Sequence, residues 1–349
     1  MKREKNCPRG VIEGFYGREW SWGSRREYAA YLQALGLDTY LYCPKGDAYL
    51  RKRWQEPWPA ATAGALAQLA AHYRDSGLNF GVGLSPFALY QDYSAASRDA
   101  LRRRLAEIDA VGGNCLALLF DDMPGELDDL AARQAEIVAD VLAWSGAEWL
   151  VVCPTYYSYD PVLEQFFGAR PTRYWEDLGN SLDLAVDVFW TGNKVCSTTV
   201  CADDLAEITR QLQRKPVLWD NYPVNDGARA SKFLHLAPLP GRSKDLDGAL
   251  HGHLCNPMNQ AELSRFPLGG LAALYGGQAP EMDALYPTAL AELLARDQEL
   301  FEEQGLDAID APARERLAAE YRQTGVPAGL EVAAWLRGEY AFDPACLTG

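Results

Sequence analysis

Several common signatures are missing from this sequence of 349 residues. It has no run of about 18 apolar residues, so nothing in it reads as a membrane span. It has no CxxC pair, and its eight cysteines follow no regular spacing. Cys43, Cys115, Cys153 and Cys255 lie in or at the ends of apolar runs, where cysteine behaves as a small hydrophobe, and the set reads as reduced thiols of a cytoplasmic protein. Histidine is scarce, with only His72, His235, His251 and His253. His251 and His253 could share one face of a strand, but no third ligand accompanies them, so no metal is expected. Basic residues are outnumbered, 33 Lys and Arg against 48 Asp and Glu, which leaves a formal charge of -15. Such a chain repels phosphate backbones and polyanionic polysaccharides, so a neutral substrate is expected and nucleic acid is not. The N-terminal Met1-Lys2-Arg3-Glu4-Lys5 is basic, but no long apolar stretch follows it, which argues against an ordinary signal peptide. Internal repeats and low-complexity tracts are absent too.

What the chain does have is a regular alternation. Short apolar β-rich runs fall at 10–13, 39–42, 80–84, 115–120, 149–153, 186–190, 217–219 and 251–254, as expected for strands covered on both faces. Amphipathic helical patterns lie between many of them, at 25–35, 65–75, 99–111, 130–144 and 205–212. Gly36, Gly77, Gly112 and Gly146 sit just beyond four of these and read as C-terminal caps. Eight β-runs separated by helices imply a parallel sheet, and closure into a (β/α)8 TIM barrel is the natural solution at eight. An open doubly wound sheet is the rival; the first run lacks the Gly-rich nucleotide-binding turn that would favour it. A last barrel helix is expected at 259–275 and a linker at 276–280. Further helices at 284–298, 311–324 and 330–338 form a small C-terminal helical appendage, which divides the chain into a catalytic barrel at 1–276 and a helical region at 277–349.

In barrel enzymes the chemistry sits at the C-terminal ends of the strands. The residues that follow the runs here are polar and aromatic: Glu13-Gly14-Phe15-Tyr16-Gly17, Cys43-Pro44-Lys45, Asp121-Asp122, Pro154-Thr155-Tyr156-Tyr157, Trp190-Thr191-Gly192, Asp220-Asn221 with Asn225-Asp226, and Cys255-Asn256-Pro257. The apolar fourth run leads straight into Asp121-Asp122, and carboxylates there are costly to desolvate unless well paired. Helix capping would account for a single aspartate. Two adjacent acids sharing a rim with Lys45, Asn221, Asp226 and Asn256 favour catalysis. A magnesium site using Asp121, Asp122, Glu126, Asp128 and Asp129 is disfavoured by the absence of a phosphate-binding loop.

These same blocks carry a family resemblance. Arg9-Gly10-Val11-Ile12-Glu13-Gly14-Phe15-Tyr16-Gly17-Arg18-Glu19-Trp20, Thr39-Tyr40-Leu41-Tyr42-Cys43-Pro44-Lys45 and Leu119-Phe120-Asp121-Asp122 resemble glycoside hydrolase family eighty-four. So do Cys153-Pro154-Thr155, Phe189-Trp190-Thr191-Gly192, Leu218-Trp219-Asp220-Asn221, Asn225-Asp226 and Asn256-Pro257. The blocks occur in order over roughly residues 9 to 275. The family contains O-GlcNAcases and bacterial β-N-acetylglucosaminidases. The resemblance implies a retaining hydrolysis without an enzyme nucleophile: the 2-acetamido oxygen of the substrate attacks the anomeric carbon and forms an oxazoline.

By this resemblance Asp121 orients the acetamido N–H, while Asp122, protonated at the start, gives its proton to the leaving oxygen and later deprotonates water. Gly14 and Lys45 would meet sugar hydroxyls, as would Asp226 and Asn256 on the far side of the ring. Asn221 would support the acetamido region, Tyr157 would bond the oxazoline-forming group, and Cys153, Thr191, Val195 and Trp219 would shape an N-acetyl pocket. No cofactor is implied. The expected partner is a glycoconjugate bearing terminal N-acetylglucosamine, including one on serine or threonine of a protein. Hyaluronidase-type endo-cleavage and a non-catalytic N-acetylhexosamine-binding role are the alternatives; net charge opposes the first and the intact acid pair the second. The sequence departs from the family pattern at Phe87, where Ser-Pro-Gly is usual, and at Gly46, Tyr156 and Asn193. A Phe cannot take a Gly-only backbone shape cheaply, so a different loop is expected at 85–87.

Overall fold

A computed structural model of the chain describes residues 7–343; the basic segment at 1–5 lies outside the described residues. Eight parallel strands close into a barrel in sequence order. They are β1 (Arg9–Glu13), β2 (Thr39–Tyr42), β3 (Asn79–Leu84), β4 (Cys115–Leu119), β5 (Trp149–Cys153), β6 (Asp187–Trp190), β7 (Val217–Asp220) and β8 (Gly252–Cys255). The β1–β8 pairing Gly10 to Leu254 and Val11 to Cys255 completes the ring. Every expected strand forms, and the open doubly wound alternative is excluded. No helix among the described residues is long and apolar enough to cross a membrane.

The helices Trp22–Ala34, Ala60–Asp75, Ala95–Val111, Leu130–Trp144 and Ala202–Leu212 pack outside the ring, each starting at or before the point where its hydrophobic stripe begins. Gly36, Gly77 and Gly112 are left-handed, at φ of 69°, 74° and 85°, as expected of glycines that end helices. Gly146 is not. Helix Leu130–Trp144 leaves through an extended Ser145, and the Gly146 N–H instead donates to Asp109 Oδ2 at 3.0 Å. Three short helices went unread in the sequence, Val162–Phe167, Tyr174–Ser181 and Leu246–Ala249, each too brief for a helical period to show. The last barrel helix is Arg265–Leu274 rather than 259–275, because Asn259 is drawn into the loops above the barrel. Its Nδ2 donates to the Tyr16 and Arg18 carbonyls at 2.8 and 2.9 Å.

The main hydrophobic core fills the barrel and the space beneath its helices. A second core joins the C-terminal helices Thr288–Glu299, Ala311–Gln323 and Pro327–Leu336 to Leu234, Leu236, Met258 and Leu263. The helical region is therefore packed against the loops that follow β7 and β8. Polar anchors reinforce it: Glu331 accepts the Glu262 and Leu263 N–H groups at 3.1 and 2.9 Å, and the Trp335 indole donates to the Ser231 carbonyl at 2.9 Å.

Candidate active site

A cavity of about 190 Å3 opens at the C-terminal ends of the strands. Its walls bring together all the residues singled out from the sequence: Gly14, Lys45, Asp121, Asp122, Cys153, Tyr157, Thr191, Val195, Trp219, Asn221, Asp226 and Asn256. Three further residues line it, Tyr16, Cys196 and Val224. Tyr16 lies in the segment 9–20, where an aromatic after a strand reads as packing.

At the centre, both acids after β4 face the same cavity. In extended backbone, successive side chains point to opposite faces. Here Asp122 takes a left-handed φ of 54°, and this bend lets neighbouring residues share one side. A non-glycine residue in this region stores on the order of 1–3 kcal/mol and persists only where its surroundings hold it. Arg51, 1% exposed, donates from its guanidinium to the Asp122 carbonyl at 2.7 Å and to Ser85 Oγ at 3.0 Å.

The two carboxylates have different surroundings. Lys45 Nζ forms a close, buried ion pair with Asp121 Oδ2. Asp121 Oδ1 is buried and meets no hydrogen-bond donor among the described residues. Asp122 instead accepts two phenolic hydroxyls, Tyr16 on Oδ2 at 2.8 Å and Tyr157 on Oδ1 at 3.0 Å. Burial pushes the Asp122 carboxyl up, but Lys45, Arg51 and the two hydroxyls outweigh burial and hold it below the usual carboxylate range. The ligand-free site thus favours an ionised Asp122, in contrast to the expectation that it starts protonated. Tyr157 itself is pushed far above its ordinary value by burial, then by Asp122 and Asp121, so it remains a donor.

Around this pair an amide network fixes the walls. Asn256 Oδ1 accepts the Gly14 N–H at 3.1 Å, and its Nδ2 donates to Asn221 Oδ1 at 3.0 Å. The same Asn221 oxygen accepts the Trp219 indole N–H at 3.0 Å, while Asn221 Nδ2 donates to the Val195 carbonyl at 2.9 Å. Asn221 therefore acts on the wall formed by Trp219 and Val195. Only glycine fits at position 14, because a Cβ there would lie 2.3 Å from the Trp219 ring. Thr191 turns its hydroxyl to the Lys194 carbonyl at 3.1 Å. Cys153 is a neutral thiol, pushed well up by burial. Across the cavity, Asp226 Oδ2 accepts the Tyr16 N–H at 2.7 Å, and burial pushes its carboxyl up to about 6. Tyr16 thereby bridges Asp122 at its hydroxyl and Asp226 at its backbone.

Three of the four departures from the family pattern, at Phe87, Tyr156 and Asn193, resolve locally. Phe87 is not left-handed; the strained position is Ala88, at φ 60°, one residue later. Tyr156 is buried and donates to the Gly168 carbonyl at 2.7 Å. Asn193 donates to Asp204 at 2.7 Å.

The histidines part company. His251 lies just before β8 and faces Asp187 at 3.4 Å, whereas His253 on β8 faces Asp220 at 3.0 Å. Asp220, His253 and Cys255 come within 4.8 Å of one another, supplying the third potential ligand that the sequence did not reveal. Arg242, however, occupies both oxygens of Asp220, and His253 Nε2 is itself engaged with that carboxylate at 3.0 Å. The guanidinium already supplies the counter-charge a cation would bring.

A closed (β/α)8 barrel whose acid pair after β4 lines a cavity at the C-terminal rim, with one acid oxygen buried and open to a donor, has the layout of the barrel enzymes. The sequence profile of the β-N-acetylglucosaminidase family matches residues 9–302, and the chain belongs to that family of glycoside hydrolases, family eighty-four. Protein O-GlcNAcase of Rattus norvegicus is 32% identical over 278 residues, which cover 76% of this chain and 30% of that protein. The Mus musculus protein of the same name matches at the same identity and coverage. The chain thus spans about 30% of the length of these curated relatives. An O-GlcNAc hydrolase mutant of Thermobaculum terrenum superposes with a TM-score of 0.74 at 29% identity, covering 97% of this chain and 82% of that one.

Proposed function

We propose that the protein removes terminal β-linked N-acetylglucosamine from glycoconjugates, including O-GlcNAc-modified proteins or peptides, by substrate-assisted catalysis with retention. The observation that carries this reading is Asp121 Oδ1, a buried carboxylate oxygen without a donor among the described residues, set beside an acid that receives two hydroxyls. An acetamido N–H supplies the missing donor. Its carbonyl oxygen, positioned by the Tyr157 hydroxyl, attacks the anomeric carbon as the glycosidic C–O bond breaks. Asp122 gives its proton to the leaving oxygen. In the second half, Asp122 takes a proton from water as that water attacks the anomeric carbon and reopens the oxazoline. Tethering the nucleophile to the electrophile makes the attack intramolecular, which can be worth several kcal/mol.

Asp122 gains its proton as substrate binds. An acetamido carbonyl that takes the Tyr157 hydroxyl removes one stabilising donor from the Asp122 carboxylate, and the sugar excludes water. Both changes raise its pKa. Lys45 has donor capacity beyond Asp121, which suits a sugar hydroxyl. The Gly14 carbonyl, Asp226 and Asn256 serve other hydroxyls, and Cys153, Thr191, Val195 and Trp219 enclose the methyl of the acetamide, with Asn221 behind them. The unpaired thiols of the described residues suit a reducing compartment such as the cytoplasm. We further divide the chain into a catalytic barrel at 1–276 and a supporting helical region at 277–349.

The test is turnover of an aryl β-N-acetylglucosaminide, with inhibition by a stable oxazoline mimic. Turnover that is indifferent to the mimic would point to an enzyme nucleophile, and binding without turnover to a non-catalytic role.

A further inference from the structure

Arg51 belongs to none of the sequence blocks, and its guanidinium does not line the cavity. Yet it reaches the backbone of the acid pair. One arm donates to the Asp122 carbonyl at 2.7 Å and another to Ser85 Oγ at 3.0 Å. Ser85, 3% exposed, is itself tied back, its N–H donating to the Leu50 carbonyl at 2.8 Å. Phe87 covers the guanidinium, its ring centre 5.6 Å from Arg51 Cζ. The clamp joins the loops after β2 and β3 to the one residue of the acid pair in left-handed backbone, Asp122. A guanidinium presents its donors in a rigid planar fork and so grips a carbonyl and a hydroxyl in fixed directions, which the flexible point charge of a lysine does not.

We propose that Arg51 is a positioning residue for the proton donor: with Ser85 it clamps the Asp122 carbonyl and so holds the left-handed bend that aims the Asp122 carboxyl at the leaving oxygen. This rests on the reading of Asp122 as general acid. The clamp acts on backbone geometry, so its loss changes protonation of the leaving group more than sugar binding. A displacement of about 1 Å in such a group can cost a hundredfold.

The experiment compares Arg51→Lys, Ser85→Ala and Asp122→Ala on an activated dinitrophenyl and an unactivated phenyl β-N-acetylglucosaminide. Arg51→Lys keeps the charge and loses the double grip. Its kcat on the phenyl substrate should fall on the order of tenfold or more beyond any fall on the dinitrophenyl substrate, with KM and oxazoline-mimic affinity nearly unchanged. Ser85→Ala, the milder cut, should show the same split at smaller size, and it carries the test if Arg51→Lys does not fold. In the Asp122→Ala background, Arg51→Lys should cost little further, because both changes remove one function. Equal losses on the two substrates, or full additivity with Asp122→Ala, overturns the proposal. If Asp122→Ala itself shows no leaving-group split, the acid assignment fails, and the clamp's catalytic meaning fails with it.

Discussion

Acids end several strands of this barrel, and their surroundings are of two kinds. Glu13, at the end of β1, is fully buried and gripped by Arg25 through bonds of 2.6 and 2.9 Å, with the Tyr40 hydroxyl at 2.5 Å. Asp220, at the end of β7, gives both oxygens to Arg242 and shares one with His253 at 3.0 Å. Burial pushes Asp220 up, but His253 and Arg242 more than offset it and hold the carboxyl below its usual range. Asp121, after β4, has one oxygen paired and the other without a donor among the described residues. A buried carboxylate at a strand end is therefore not in itself a sign of chemistry. The sign is an acceptor that the fold leaves unsatisfied, since an unpaired buried group costs free energy that a ligand can recover.

That contrast can be broken most directly by exchanging one acid of each kind. Asp121→Asn should lower kcat by about 10²–10³ and cost stability as well, because it leaves the buried Lys45 without its counter-charge, whereas Asp220→Asn should cost about 3–5 kcal/mol of stability by leaving Arg242 buried without its own and should spare kcat in the folded protein. Thermal melts run alongside the aryl assay read both, and a fall in kcat for folded Asp220→Asn as large as that for Asp121→Asn would erase the distinction. Next, Asp122→Ala should lose about 10²–10⁴ in rate on substrates with poor leaving groups and far less on activated ones. Uniform loss would remove Asp122 from the donor role. A smaller effect concerns the hydroxyls. Tyr16→Phe deletes a donor that holds Asp122 low, so the acid should keep its proton to higher pH and the alkaline limb of the rate profile should move upward. A downward move would contradict the charge balance described above.

The smallest effect belongs to Asp226. Its pKa is about 6 in the fold against an ordinary 3.8, so the protonated form is the one the fold favours. Relative to Asp226→Asn, the wild type should be most stable below about pH 4 and should lose that advantage as pH rises through about 6. The difference should be about 1–2 kcal/mol after allowing for partial solvent access, readable as the gap between two melting curves over pH.

Much of this was legible beforehand, for identifiable reasons. Strands covered on both faces need uninterrupted apolar runs, so β1 to β8 stand out one after another, and the polar residues that follow them fall on one rim. Where the signal is weaker, the reading slipped. Helix Tyr174–Ser181 follows Pro171 within a short crossover and has too few turns for a period to emerge. Gly146 resembled a helix cap because a glycine after a helix usually is one; only the neighbouring Asp109 shows that its N–H goes elsewhere.

By itself, then, the sequence determined the alternation of elements, the closure at eight strands and the set of side chains gathered at the cavity, because burial and strand direction are written in residue order. The tertiary structure alone decided which carboxylate oxygen meets no donor among the described residues, which hydroxyls converge on Asp122, and that Arg51 reaches the Asp122 carbonyl. Those outcomes depend on contacts between segments far apart in the chain, such as Tyr16 with Asp122 and Arg51 with Ser85. No local pattern records how two side chains meet across a barrel mouth.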